Sequence, residues 1–424
     1  MHAQKFIIRG GKALQGSLRI NGAKNGALTL LAASVLARRH ITVSNLPQIE
    51  DVFRILDLLE KLGVSVERDS ERTVRLGVST SPVSTSLDPE IAKCIRASIV
   101  LTGPLLARFG EVSFPHPGGC VIGERPIDIF LHGFRALGAT VEERSDSYRV
   151  RAPKGLHGAR IFFRVVSVTG TETLLMAAVL AQGTTLLVNA AMEPEVVALA
   201  DFLNTCGARI TGQGTSYVTI EGVKAIDGGA ATVIPDRIEA GSFALLAAAT
   251  HGRLTLEQCD PTHLDALSAM LQDVGVRVQT DRISMTVDAS HCSLVARSLI
   301  THEYPGFPTD LQAPCVVLLT QTDGESRVHE TIFEGRLNWV NELVRMGARI
   351  TIADPHRILV HGPTTLRGRS IESPDIRAGM AFIIAGLAAE GETNLDNIYQ
   401  IDRGYEHIEY RLREVGADIQ RADA

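Results

Sequence analysis

The sequence predicts an α/β protein assembled from six copies of one repeat, folded as two domains of three repeats each. A glycine followed by alanine or valine closes an apolar helical stretch at Gly63, Gly138, Gly207, Gly275, Gly347 and Gly416, a period of about 70 residues. Around each of these glycines the same patterns return in the same order: an Ala-rich helix, a strand, a loop, a second amphipathic helix and a further strand. At 424 residues the chain also exceeds what one hydrophobic core usually organises.

The third repeat shows the plan most clearly. Thr173-Leu-Leu-Met-Ala-Ala-Val-Leu-Ala reads as its first helix and Thr184-Thr-Leu-Leu-Val as its first strand. Glu195 to Thr205 reads as the second helix, and Ala208-Arg-Ile-Thr as the next strand. The fourth follows with Gly241-Ser-Phe-Ala-Leu-Leu-Ala-Ala-Ala, Arg253-Leu-Thr-Leu and His263 to Asp273. The first helices are apolar nearly all round, which predicts burial inside each domain with the strands outside. The N-terminal stretch from Lys5 to Ile20 matches the strand pair that ends later repeats, such as Arg357-Ile-Leu-Val-His-Gly, and is expected to complete the sixth. The chain would then cross between domains near residues 22 and 234. One discontinuous domain is 1–22 plus 235–424 (repeats four to six with the N-terminal strand); 23–234 is an inserted domain (repeats one to three) carrying the loop around Cys120.

Composition narrows the function. With 45% hydrophobic and 21% charged residues the chain reads as soluble and globular, and a net charge of -6 argues against a general nucleic-acid binder. Six scattered cysteines (Cys94, Cys120, Cys206, Cys259, Cys292, Cys315) show neither a CxxC pair nor zinc-ligand spacing, so no metal and no disulfide framework is expected. The N-terminus has no long apolar region of the signal-peptide kind, and the uncharged stretch from Thr173 to Met192 is broken at Gln182-Gly-Thr-Thr, against a membrane span. A cytoplasmic location is expected.

The polar starts of the first helices gather cations: Lys24 beside Asn25, Arg96, Arg237 and Arg377. Helix N-termini favour anions, and a cation adds to that. A second row lies before the second helices, at Arg125, Arg336 and Arg403. Taken singly, each reads as a solvated arginine or a helix-end ion pair. Their recurrence at equivalent repeat positions predicts a shared site for a substrate with several negative charges. The stretch from Pro115 to Asp128 holds three glycines and three prolines around Cys120, a composition that fits a lid and a reactive thiol.

In order along nearly the whole chain, Asn21-Gly-Ala-Lys-Asn-Gly-Ala-Leu, Ile95-Arg-Ala-Ser-Ile, Pro117-Gly-Gly-Cys-Val-Ile-Gly-Glu-Arg-Pro-Ile-Asp, Pro235-Asp-Arg-Ile-Glu-Ala-Gly-Ser-Phe, Phe307-Pro-Thr-Asp-Leu-Gln-Ala, Asp375-Ile-Arg-Ala and Ile401-Asp-Arg-Gly-Tyr-Glu resemble the enolpyruvyl transferase family, in its UDP-N-acetylglucosamine 1-carboxyvinyltransferase branch. The resemblance implies a fold of two inside-out α/β barrels of three repeats each, closing around substrates. It implies transfer of the enolpyruvyl group of phosphoenolpyruvate to the 3-hydroxyl of UDP-N-acetylglucosamine, the committing step of peptidoglycan synthesis, with no cofactor.

By the same resemblance, Lys24, Arg125 and Arg403 hold the phosphate of phosphoenolpyruvate, Arg336 and Arg377 its carboxylate, and Asn25 shares that pocket. Arg96, the run Arg125, Pro126, Ile127, Asp128 and Ile129, then Ser167, Val168, Asp310 and Ile332 line the UDP-sugar site. Lys24 counts among the catalytic residues with Cys120 and Asp310. Asp310 accepts the sugar hydroxyl's proton, while Cys120 supplies a proton to C3 of phosphoenolpyruvate and is where fosfomycin attaches. A carboxylate is a fit base, and a thiol of ordinary pKa about 8.5 is a fit acid near neutrality. Two positions depart from the family pattern. His116 stands where relatives have an apolar residue and reads as a solvated loop histidine; Val165 replaces a lysine, with Arg164 beside it.

Two alternatives differ in kind. The shikimate 3-phosphate transferases share the fold, but a Pro-Gly-Ser-Lys-Ser-like start and no Pro-Gly-Gly-Cys loop would mark them. A catalytically silent UDP-sugar-binding regulatory paralogue would be marked by loss of Cys120, Asp310 or Lys24, and all three are present.

Overall fold

The computed structural model describes residues 4–78, 84–116, 122–123 and 127–423. The chain forms two compact units: Met1–Asn21 with Pro235–Ala424, which also takes in Ile122 and Gly123, and Gly22–Ile234 for the rest. Each has its own apolar core, one drawn from 6–20 and 238–419, the other from 23–233.

All six repeats are present, and their glycines have one job. Gly63, Gly138, Gly207, Gly275, Gly347 and Gly416 have φ between 90° and 106°, ending the second helix of each repeat in the left-handed conformation that glycine adopts without a Cβ clash. The next strand starts directly after that reversal, as in Val64–Ser70 and Arg277–Asp281.

Inside the first unit, helices Arg237–Ala249, Gln312–Leu319 and Ile376–Ala388 pack on one another. They are buried nearly all round, so apolar residues on every face suit them. Inside the other, α1 (Lys24–Ala33), the stretch 96–109 and helix Val168–Ala178 form the corresponding group. A Cβ on Gly103 would lie 2.2 Å from the Thr173 carbonyl oxygen, so only glycine permits that helix contact.

The sheets lie outside these helices and explain where the N-terminus goes. β1 (Gln4–Arg9) runs antiparallel to both Glu392–Asp396 and Asp418–Asp423, completing the sixth repeat's sheet with Phe6 and Ile8 pointing into the core. β2 (Gln15–Arg19) does not stay with it. It runs parallel to Arg253–Glu257, with Leu18 opposite Leu256, in the fourth repeat's sheet. In the third, fifth and sixth repeats that parallel strand comes from the tail of the repeat before, as with Arg160–Phe162 beside Thr184–Val188. The fourth repeat follows the crossing and has no such donor in its own unit, so β2 fills the place. In the other unit, Gly229–Thr232 of the third repeat returns to lie parallel to β3 (Ile41–Ser44) of the first. Each unit of three repeats thereby closes on itself.

Where the chain leaves β2, Glu239 takes three roles with one carboxylate: it accepts from the Asn21 N–H at 2.9 Å and pairs with both terminal nitrogens of Arg411 at 2.5 and 3.1 Å. Both side chains are largely buried. Glu239→Ala is expected to lower stability by roughly 3–5 kcal/mol, the usual result of stranding one partner of a buried pair, measured by urea unfolding.

Glu172 is a second buried carboxyl, 3% exposed, with Oε1 lacking a hydrogen-bond partner. Burial, then the nearby Glu195 and Glu193, push it well above its ordinary value of 4.5. An acid raised on folding contributes stability that is complete below its unfolded pKa and is lost as pH rises toward the folded one. Glu172→Gln is therefore expected to melt with a shallower decline than the parent chain as pH rises above the ordinary carboxyl value of 4.5; an identical decline would contradict it.

Candidate active site

A buried cluster of charge within one unit is built on Asp310. Pro308 leads into the short 3-10 turn Thr309–Leu311, which continues directly into helix Gln312–Leu319 and sets Asp310 at its start. Asp310 Oδ1 accepts from Arg336 Nη2 at 2.8 Å; Oδ2 accepts from Arg377 Nε at 2.9 Å and Nη2 at 2.6 Å. Both arginine side chains are nearly fully buried, at 3% and 8% exposure, while Asp310 keeps 27%. Two guanidiniums thus converge on one carboxylate at a partly open position. Burial opposes the Arg377 charge, but Asp310 first, then Tyr405 and Asp236, outweigh it and hold its pKa above the ordinary arginine value. Arg336 also donates to the Thr309 carbonyl at 3.2 Å and lies over the Phe333 ring.

Supporting residues to which the sequence assigned no part in the site hold this arrangement. Glu330, fully buried at the end of strand Gly324–His329, accepts from the Thr309 hydroxyl at 2.9 Å through Oε2, and from the Ile332 and Phe333 N–H groups at 2.9 and 3.2 Å through Oε1. One side chain thereby fixes the turn carrying Asp310 and the loop carrying Ile332 and Arg336. Asp375 caps helix Ile376–Ala388, accepting from the Arg377 and Ala378 N–H groups. Tyr405, also fully buried, receives Arg377 Nη1 at 3.4 Å. Sequence spacing could not find Glu330 or Tyr405, because only the fold brings them beside residues 21 to 28 positions away. Arg403 ends the short helix Tyr399–Asp402 and donates to Gln400 Oε1 at 3.1 Å, two residues before Tyr405.

In the other unit, Lys24 opens α1 and its Nζ lies 2.9 Å from Asp51 Oδ2, in α2 (Glu50–Lys61). Asn25 follows it, half-buried. Ser167 caps the helix that starts at Val168, accepting from the Gly170 N–H at 3.1 Å, and a Cβ on Gly170 would meet both Ser167 and Ile129. Ile129, Ser167 and Val168 are therefore neighbours. Buried Ile127 and exposed Asp128 stand at the start of helix Asp128–Ala136, whereas Arg96 opens the 3-10 stretch Arg96–Leu101. Cys120, Arg125 and Pro126 lie outside the described residues. Val165 is 63% exposed, and Arg164 beside it is also exposed.

One expectation changes. Ser167 takes up one of the N-terminal amides of its helix, and Asp236 and Asp375 two each, as caps, so those amides are not open to an anion. α1 differs, having no side-chain cap. His116, just after strand Glu111–Pro115, is half-buried, with its ring 4.5 Å from that of Tyr148 and Nε2 2.9 Å from the Arg144 carbonyl oxygen.

The arrangement sets one partly exposed carboxylate between two buried guanidiniums. The family model described as EPSP synthase (3-phosphoshikimate 1-carboxyvinyltransferase) matches residues 8–412. The chain belongs to the enolpyruvyl transferase family. Within that family it is 45% identical over 421 residues to the UDP-N-acetylglucosamine 1-carboxyvinyltransferase of Koribacter versatilis (strain Ellin345), covering 98% of this chain and 96% of that one. Among solved structures of enolpyruvyl transferases, NikO from Streptomyces tendae superposes with a TM-score of 0.90 over all of both chains at 23% identity. An EPSP synthase from Acinetobacter baumannii superposes with a TM-score of 0.76 at 18% identity, over 99% of this chain and 100% of that one. These two likenesses establish the enolpyruvyl transferase fold of paired inside-out α/β barrels. Among the described residues no helix is long and apolar enough to cross a membrane.

Because Glu330 is buried and accepts three hydrogen bonds, Glu330→Ala is expected to lower stability by roughly 3 kcal/mol or more, through the donors it strands. Urea unfolding of the variant beside the parent chain would show it.

Proposed function

We propose that this chain transfers the enolpyruvyl group of phosphoenolpyruvate to the 3-hydroxyl of UDP-N-acetylglucosamine and releases phosphate, as the committing step of peptidoglycan synthesis in the cytoplasm. The observation that carries the proposal is the 45% identity to the Koribacter transferase over nearly the full length of both chains. The paired Arg336 and Arg377 around Asp310 supply the chemistry it needs.

In this reading Arg336 and Arg377 receive the carboxylate of phosphoenolpyruvate, while Lys24, Arg125 and Arg403 receive its phosphate, with Asn25 in the same pocket. Arg96, Arg125, Pro126, Ile127, Asp128, Ile129, Ser167, Val168, Asp310 and Ile332 contact the UDP-sugar. The 3-hydroxyl forms a bond to C2 of phosphoenolpyruvate as its proton passes to Asp310, and C3 gains a proton from Cys120. Each carboxylate oxygen has two acceptor sites, so Asp310 can take that proton beside its arginine contacts. The tetrahedral intermediate then loses a proton from C3 and expels phosphate, restoring the double bond. Fixed cations stabilise the departing charge without reorganising.

Phosphate release tests the proposal. Purified protein is expected to release phosphate only when both substrates are present, and release should fall by at least about 100-fold in Cys120→Ala. Preincubation with fosfomycin should abolish it through the Cys120 thiol. Release that ignores either substrate, or no release at all, would overturn the assignment.

A further inference from the structure

Arg377 is held on two sides by groups with different tasks. Its Nε and Nη2 donate to Asp310 Oδ2, while Nη1 donates to the Tyr405 hydroxyl at 3.4 Å. The Tyr405 hydroxyl in turn lies 2.9 Å from Ser242 Oγ. Ser242 spends its only hydrogen on the Ile238 carbonyl, at 2.7 Å one turn back in helix Arg237–Ala249. The direction of the chain follows: Ser242 must accept from Tyr405, which leaves a Tyr405 lone pair facing Arg377. Ser242 and Tyr405 are both fully buried, and burial pushes the Tyr405 hydroxyl up, so it stays protonated. The Tyr405 ring also sits under the guanidinium, 5.9 Å from its central carbon.

Of the five N–H groups of a guanidinium, these contacts use three: Nε, one on Nη2 and one on Nη1. The remaining two lie one on each terminal nitrogen, whose shared end edge matches the two oxygens of a carboxylate. We propose that Tyr405 and Ser242 are positioning residues that fix the plane of Arg377, so that this end edge is presented to the carboxylate of the substrate. The inference rests on the reading of Arg377 as the carboxylate ligand of phosphoenolpyruvate. It adds a device that selects the carboxylate end of that substrate and leaves its phosphate and the UDP-sugar alone.

The test compares Tyr405→Phe, Ser242→Ala and the double variant with the parent chain. The measurements are steady-state kinetics in each substrate and direct calorimetric binding of phosphoenolpyruvate and of inorganic phosphate. Loss of one hydrogen bond to a charged group predicts a KM for phosphoenolpyruvate about 5- to 20-fold higher, with kcat and the UDP-sugar KM within about twofold. Ser242→Ala should act alike, since the Tyr405 proton then turns toward Arg377. The double variant should be no worse than the larger single effect, because the two residues act as one chain. Affinity for phosphoenolpyruvate should fall while that for inorganic phosphate holds. An unchanged phosphoenolpyruvate KM in both single variants, a fall in kcat alone, or equal losses for both substrates would overturn the proposal. Were the parent chain to release no phosphate, the reaction assigned above would fail, and the binding arm would still decide the role of Tyr405; a parent chain that binds no phosphoenolpyruvate would sink both.

Discussion

One carboxylate shared by two buried guanidiniums is the constraint around which this unit is arranged. Burying Arg336 and Arg377 to 3% and 8% exposure without Asp310 would be costly, since a guanidinium keeps its charge and an unpaired buried ion is strongly disfavoured. Their convergence requires three separate parts of the chain to meet: the start of helix Gln312–Leu319, the loop after strand Gly324–His329, and the start of helix Ile376–Ala388. Glu330 ties the first two together, and Asp375 and Tyr405 fix the third. Stability and chemistry therefore draw on the same contacts.

Much of the fold was legible because it is written six times. The glycines that recur about every 70 residues are those whose positive φ ends each second helix, a backbone need that no other residue meets as cheaply. Ala-rich helices without a polar face could only be inner ones. The destination of β2 was not legible. Its alternation fits any sheet edge, and only the missing parallel strand of the fourth repeat decides where it goes.

The candidate site divides along the same line. Lys24, Arg336 and Arg377 stood out because cations recur at equivalent helix starts and loops, and Asp310 through the family resemblance alone. Asp51, Glu330, Ser242 and Tyr405 did not, since their partners lie between 21 and 163 residues away and no local pattern marks a residue that works through another. Reading helix starts as open amide sites also missed that Ser167, Asp236 and Asp375 occupy one or two of those amides themselves. At the last two starts Arg237 and Arg377 add guanidinium charge that does not depend on backbone geometry.

The most direct test of the central claim is turnover in Asp310→Asn, a change that keeps the shape and one acceptor oxygen and removes the base. Calorimetry is expected still to detect binding of UDP-N-acetylglucosamine and phosphoenolpyruvate while phosphate release falls by about 10²- to 10⁴-fold, the usual contribution of a positioned general base. Turnover within a few-fold of the parent chain would contradict it, leaving Asp310 as a clamp for the two arginines and placing the proton acceptor elsewhere.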